Sequence, residues 1–424
     1  MKKLLISFFS LTLSFGVFAQ QGRLSKDSLL LDIDFIYSKI LEIHPDPFMR
    51  ISHDSFIQLK NHIKHSIDEN ETVETFYFKA ASLISAIKDG HSVMLMQGFP
   101  ASQNLRYGNK IFPIDIKIKE NRVYAVFDHF HRDSISAEII SINAIPMNSL
   151  MKPIFDAYSF DKYPDINYSS IERDFLILFN ALGLSDSVYT IELKGIAEPY
   201  ITYGTSLDNL RESGRLARNN AQTPYKFSKT GNTVTARFQN FIPSDQLHHF
   251  IDSLFQFVVS ESIDTLVIDV RGNTGGSSAI IAEIISHLTT EKFKVYSQAQ
   301  LKISTYVKER AAKRNTALFN IISGMENGSI YDMETEYYEK QKEHIFKGKL
   351  IVLADRVTFS AGATFAHLIE NMGLGDVIGE TGGNPIYFGE FVLLSLPHTK
   401  LNFTVSTRKL YEWRSPKIQR RVGN

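Results

Sequence analysis

The chain has 424 residues, more than one small domain needs, and its 43% hydrophobic and 12% aromatic content supports a packed core rather than a disordered coil. Lys plus Arg and Asp plus Glu both number 46, so the net charge is zero and no basic field favours nucleic acid. There is no cysteine, which excludes disulfides, thiolate catalysis and cysteine-ligated metals.

The first residues read as a secretory signal peptide over 1–19. Lys2-Lys3 supplies the positive start, Leu4 to Phe18 the apolar run, and Val17-Phe18-Ala19 the small-residue cleavage pattern. The run falls short of the ~20 residues a membrane span needs. The expected product is exported, to the periplasm or the extracellular space, with no stable membrane insertion after cleavage.

Residues 22–100 read as an N-terminal helical domain. An amphipathic run from Asp27 to Ile43 is stopped by His44-Pro45-Asp46-Pro47, because proline bars the helix from continuing. Two further helical stretches are expected at His53–Ile67 and Thr72–Ile87. His44, His53, His62, His65, His248 and His249 occupy helical or polar flanking positions and are expected to be solvated. Residues 105–200 change character. Ile114–Ile118 alternates with period two, Val123–Phe127 reads as a second strand, and Ser136–Pro146 as strand, turn, strand. A polar stretch over 206–224 reads as a linker.

Residues 225–424 form the expected core. Phe250–Ser260, Ser277–Leu288 and Ala361–Met372 are helical patterns, and Leu266–Val270, Phe293–Gln298, Leu350–Leu353 and Asp376–Gly379 are strands. That alternation predicts a mostly parallel sheet flanked by helices, an α/β fold. The charged, Tyr-rich stretch 304–345 reads as a helical insertion or lid.

Three segments carry chemistry. Thr358-Phe359-Ser360-Ala361-Gly362 follows a buried strand and opens a helix, where the helix dipole and the next N–H favour a developing oxyanion. The plainer reading of Ser360 is a helix N-cap. Asp269-Val270-Arg271-Gly272-Asn273-Thr274-Gly275-Gly276 lets the backbone approach a ligand, with Asp269 and Arg271 holding the loop. Its competing reading is a plain strand-to-helix turn. Lys88-Asp89-Gly90-His91-Ser92 places His91 alone among thirteen histidines at a helix–Gly–strand corner. A lone histidine is more often structural. His367, two turns after Ser360, is too far along its helix to take the hydroxyl proton. No His-Glu-x-x-His spacing or comparable cluster occurs, so no metal and no cofactor is expected.

Ile268 to Gly276, Thr358 to Gly362, and Val377-Ile378-Gly379-Glu380-Thr381-Gly382-Gly383 together resemble the tail-specific, or C-terminal-processing, serine peptidase family. Asp89-Gly90-His91-Ser92 resembles the histidine segment of its tricorn-core-like branch. The resemblance implies a protease/crotonase-type β/α spiral core, an N-terminal helical domain carrying His91, and a small PDZ-like β domain over 105–200. Ser136–Pro146 is similar to the carboxylate-loop side of such a domain, with Ser136 and Ala144 where glycines are usual.

The same resemblance implies Ser360 as nucleophile and His91 as general base, with Gly275 or Gly276 and Ala361 as oxyanion donors. A Ser–Lys dyad is excluded, because no Lys or Arg occurs between Ser360 and Lys400. The branch orients its histidine with a glutamate near the end of the core. Glu412 is the nearest acid, with Glu390 a second candidate. The expected activity is serine endopeptidase action on peptides or unfolded protein, without nucleic acid. The alternative is a non-catalytic peptide-binding relative of the same fold.

Overall fold

In this computed structural model, residues 24–96, 108–215, 224–339 and 342–416 are described. The expected signal peptide lies outside the described residues. Three N-terminal helices come first: α1 (Lys26–Ile43), α2 (His53–Ser66) and α3 (Val73–Ser85). Ser25 caps α1 by accepting the N–H of Ser28. Pro45 holds His44 extended, so the helix ends at Ile43. Leu29, Ile33, Ile36, Ile40 and Ile43 fall on one face of α1 and are all buried. Each such side chain contributes about 1.5–3 kcal/mol by leaving water.

The next part is a six-stranded antiparallel sheet. Strands β1 (Ile114–Lys119), β2 (Arg122–Asp128), β3 (Asp133–Ile142), β5 (Val188–Leu193) and β6 (Tyr200–Tyr203) lie in that order, and the two-residue β4 (Ile145–Pro146) pairs with β3. Two helices, Met147–Ala157 and Tyr168–Ala181, belong to the same part of the chain. Reading only strands over 105–200 missed them. Leu150, Met151 and Ile154 of the first helix, and Ile171, Phe175 and Phe179 of the second, are buried. They face the core at helical spacing, and this pattern could have been read in sequence. The expected linker over 206–224 contains a short helix, Leu207–Glu212.

The C-terminal part is the expected α/β core. Its five-stranded sheet runs β13 (Asp376–Ile378), β12 (Lys349–Leu353), β9 (Thr265–Asp269), β8 (Thr233–Phe238), β7 (Tyr225–Thr230). The first four are mutually parallel, and β7 closes the edge antiparallel to β8. Helices Asp245–Ser260 and Ala361–Met372 each connect neighbouring parallel strands, whereas between β9 and β12 the chain passes through Ser278–Ser286 and then leaves for a second sheet, which takes in the strand expected near 293–298. A second, antiparallel sheet has the order β11 (Ile330–Met333), β10 (Tyr296–Lys302), β15 (Asn402–Glu412), β14 (Ile386–Ser395). The insertion is helical over Thr305–Arg314 and Thr316–Ile322 and also supplies β11.

Strand β15 joins the N-terminal helices to the C-terminal core. Leu95 N–H donates to Asn402 O at 2.8 Å, and Thr404 N–H donates to Val93 O at 2.8 Å, so the stretch after His91 lies along β15 like an added strand. Asp32, fully buried on α1, accepts the N–H groups of His398 and Thr399 at 3.0 and 2.8 Å and holds the β14–β15 turn. One apolar core runs from the isoleucines of α1 to Leu396, Phe403 and Val405. These contacts carry His91 to the mouth of the C-terminal sheet.

Candidate active site

Strand β12 leads through Asp355 into the sharp corner at Ser360. The Asp355 carboxylate accepts the N–H groups of Val357 and Thr358 at 3.1 and 2.9 Å, and that of Gly272 at 3.0 Å. It therefore ties the serine corner to the glycine loop. Thr358 Oγ1 donates to Val270 O at 2.9 Å, and Phe359 N–H donates to Asn273 O at 2.9 Å. Asp269 accepts from Arg271 through backbone and side chain, so both residues hold the loop as expected.

Ser360 sits at φ 50° and ψ −128°, conformational space that glycine favours and a side chain strains to occupy. Its hydroxyl makes no cap hydrogen bond to the helix behind it, which disposes of the N-cap reading. Instead Ser360 Oγ lies 3.0 Å from Nε2 of His91. The two groups are 269 residues apart in sequence. His91 stacks on Phe359 with ring centroids 4.9 Å apart and lies 6.2 Å from the Tyr387 ring. Its side chain is 15% exposed, enough to meet a substrate from one side.

The glycine loop supplies the facing wall. A Cβ on Gly275 would stand 2.7 Å from Ser360 Cβ and 3.1 Å from its Oγ, at a φ of +112°. A Cβ on Gly276 would fall 2.2 Å from the Phe241 carbonyl carbon. Neither site admits a side chain. The two glycines differ in what their N–H groups do. Gly275 N–H donates to Asn273 Oδ1 at 2.8 Å and is spent inside the loop. Gly276 N–H has no recorded partner among the described residues, and Ala361 is the first residue of its helix, where an N–H lacks an intrahelical acceptor. Of the expected pair, Gly276 rather than Gly275 is the oxyanion candidate, together with Ala361. Both line the same open cavity as His91, Ser360 and Tyr387, with a volume of about 1050 Å³.

Residues 233–419 match the model of peptidase family S41, and that stretch contains Gly276, Ser360 and Ala361. The chain carries an S41 peptidase domain and is a serine-type peptidase. In fold it is similar to mature CPAF, with a TM-score of 0.60 at 12% identity over 91% of this chain and 89% of that one. It is also similar to mature CPAF complexed with lactacystin, at a TM-score of 0.60 and 13% identity over 92% and 91%. A photosystem II D1 C-terminal processing protease aligns at a TM-score of 0.42 and 12% identity over 90% and 88%. No curated protein matches the chain in sequence.

The expected third member of this S41 site is elsewhere. Glu412 Oε1 lies 2.7 Å from Nδ1 of His367, whose Nε2 lies 2.7 Å from Thr381 Oγ1. Burial holds the Glu412 carboxyl above the usual range, against the pull of His367. Glu412 therefore braces the 379–383 loop through His367 and leaves His91 alone. Glu390, the second candidate, pairs with Arg408 at 2.7 Å.

The acids near His91 come from its own side of the molecule. Asp89 Oδ1 is 3.8 Å from His91 Nδ1 and accepts the His91 N–H at 2.9 Å. Asp161 accepts the Gly90 N–H at 2.9 Å and an Arg50 N–H at 3.0 Å. Burial lowers the proton affinity of His91, but Asp89, and more weakly Asp161, outweigh it and leave the imidazole above its ordinary range. His44, expected to be solvated, is fully buried against Asp89. Asp89 precedes His91 by two residues, and that adjacency was the available signal. Among the described residues no group of three or more His, Cys, Asp or Glu comes together as a metal site would.

Proposed function

We propose that this S41 peptidase is an exported serine endopeptidase in which Ser360 attacks a peptide carbonyl and His91 serves as base and then acid. The observation that carries the reading is the 3.0 Å contact between the serine hydroxyl and the imidazole. In the neutral ring Nε2 accepts the hydroxyl proton as Oγ bonds to the carbonyl carbon. The carbonyl oxygen gains negative charge and is met by the N–H groups of Gly276 and Ala361. The imidazolium returns its proton to the departing amine, the C–N bond breaks, and an acyl-serine remains. Water then repeats the sequence and frees Ser360.

The cavity beside the pair is open and is walled on one side by β14, a length of chain suited to an extended peptide. Export rests on the N-terminal sequence pattern. No helix among the described residues is long and apolar enough to cross a membrane.

Casein digestion by the protein lacking residues 1–19 tests the reading. The wild-type chain is expected to cleave and Ser360→Ala to leave casein intact while melting cooperatively. Equal cleavage by both would refute it. A wild-type chain that binds unfolded casein without cutting it would instead make this a non-catalytic relative.

A further inference from the structure

We infer that Asp89, supported by His44, is the positioning acid of this site, the part Glu412 was expected to play. The inference rests on the serine–histidine reading above. Asp89 has no exposed surface, and its carboxylate is gripped from several sides. Oδ2 accepts from Ser92 Oγ at 2.5 Å and from His44 Nε2 at 3.2 Å, and Oδ1 accepts the His91 N–H at 2.9 Å. Oδ1 also faces His91 Nδ1 at 3.8 Å, and that ring nitrogen is buried with no hydrogen-bond partner. A buried ring N–H without an acceptor costs about 1–3 kcal/mol, so a partner is wanted there. A shift of about 1 Å would bring the pair into the range of a charge-assisted hydrogen bond. Resting sites often hold such contacts long and close them only when charge develops.

The role of His44 follows from its second nitrogen. Its Nδ1 accepts the N–H of Asp46 at 3.2 Å. The ring proton therefore sits on Nε2, which donates it to Asp89. With Nδ1 occupied as an acceptor, His44 is neutral. It orients Asp89 without cancelling its charge. Its ring is fixed by Phe388, with centroids 4.2 Å apart. The His44-Pro45-Asp46-Pro47 helix stop thereby gains a purpose, because the turn aims one imidazole at the acid and presents the amide that sets its tautomer.

Asp161 is the rival: its Oδ2 is buried without a hydrogen-bond partner, but among the described ion pairs His91 Nδ1 meets only Asp89. Asp161 Oδ1 takes the Gly90 N–H and Arg50, and the guanidinium balances its charge. When Ser360 gives its proton to Nε2, the imidazolium forms with Nδ1–H toward the uncancelled charge of Asp89. The proton stays on His91. The charged or titratable groups facing that ring are Asp89 on its own turn, Asp161 with Arg50 behind it, Ser360 from the corner, and Tyr387 from β14.

The test is the rate of Ser360 labelling by a fluorophosphonate across pH, together with casein turnover. For Asp89→Asn, turnover is expected to fall by about 10²–10⁴-fold with KM little changed. The acid limb of the labelling profile is expected to move to lower pH, because a negative charge beside His91 is gone. For His44→Leu, a smaller loss is expected and the limb moves the opposite way, because Asp89 with one donor fewer attracts the imidazolium more strongly. A merely structural role would move neither limb. Nitrogen-15 NMR of histidine-labelled wild-type protein needs no variant, and neutral His91 is expected in the Nδ1–H tautomer. Wild-type labelling rates with an unmoved limb in Asp89→Asn, or an Nε2–H tautomer in the wild type, would overturn the inference while leaving the serine–histidine reading intact. Absence of any Ser360 labelling in the wild type would instead bring down that underlying reading, and this one with it.

Discussion

Replacing Ser360 by glycine and by alanine separates the strain at the nucleophile from its chemistry. Both variants lose the hydroxyl, so both are expected to be inactive. They differ in the backbone. Ser360 is held at φ 50°, ψ −128°, and alanine keeps the Cβ that makes this conformation costly. Such strain is worth about 1–3 kcal/mol. Glycine relieves it but adds about 0.4–1 kcal/mol of unfolded-chain entropy relative to alanine. The hydroxyl makes no cap bond, so loss of a cap does not enter. The difference favours Ser360→Gly over Ser360→Ala by about 1 kcal/mol, and by no more than about 2.5 kcal/mol. In a domain of this size each kcal/mol corresponds to about 2–4 °C in Tm. Paired thermal melts, supported by urea midpoints, read the difference directly. If Ser360→Ala is the more stable variant, as entropy alone requires, the corner is not strained and the argument for a poised nucleophile is wrong.

Gly275→Ala places a methyl 2.7 Å from Ser360 Cβ and 3.1 Å from its Oγ. Displacing the nucleophile by that contact is expected to cut kcat by about 10²-fold or more, and a kcat within threefold of wild type would show that the loop does not abut the serine. Glu412→Ala is expected to lower the unfolding midpoint through the loss of about 1–3 kcal/mol of buried hydrogen bonding, while kcat falls less than tenfold. An unchanged midpoint with a thousandfold loss of kcat would return Glu412 to the mechanism. His91 must be neutral to accept the serine proton, and its pKa is raised above the ordinary value near 6.5, so kcat/KM is expected to fall as pH drops through a midpoint above that value. A midpoint below 6 in a pH–rate profile would contradict this.

The serine corner and the histidine corner were legible because each is a local pattern. A buried strand enters Thr358-Phe359-Ser360-Ala361-Gly362, and a helix breaks at Gly90 before His91. The parallel sheet was legible from its strand–helix alternation. Other features depended on tertiary contacts that no window of sequence contains. Glu412 was placed by likeness to other chains, but in the folded molecule β15 carries it to His367. Gly275 and Gly276 look equivalent in sequence, and only the Asn273 side chain, folding back on Gly275, distinguishes them. His44 resembles a polar helix end, and its burial becomes visible only once α1 packs against β15 and Phe388. The helices at Met147–Ala157 and Tyr168–Ala181 were missed although their apolar spacing was present, because the strands before them set the expectation.

The most direct test of the central claim is mass spectrometry of the protein after fluorophosphonate treatment at mildly alkaline pH. A single adduct is expected on the peptide containing Ser360 in the wild type and none in His91→Ala. An unmodified Ser360 in the wild type, or equal modification with and without the imidazole, would contradict the account.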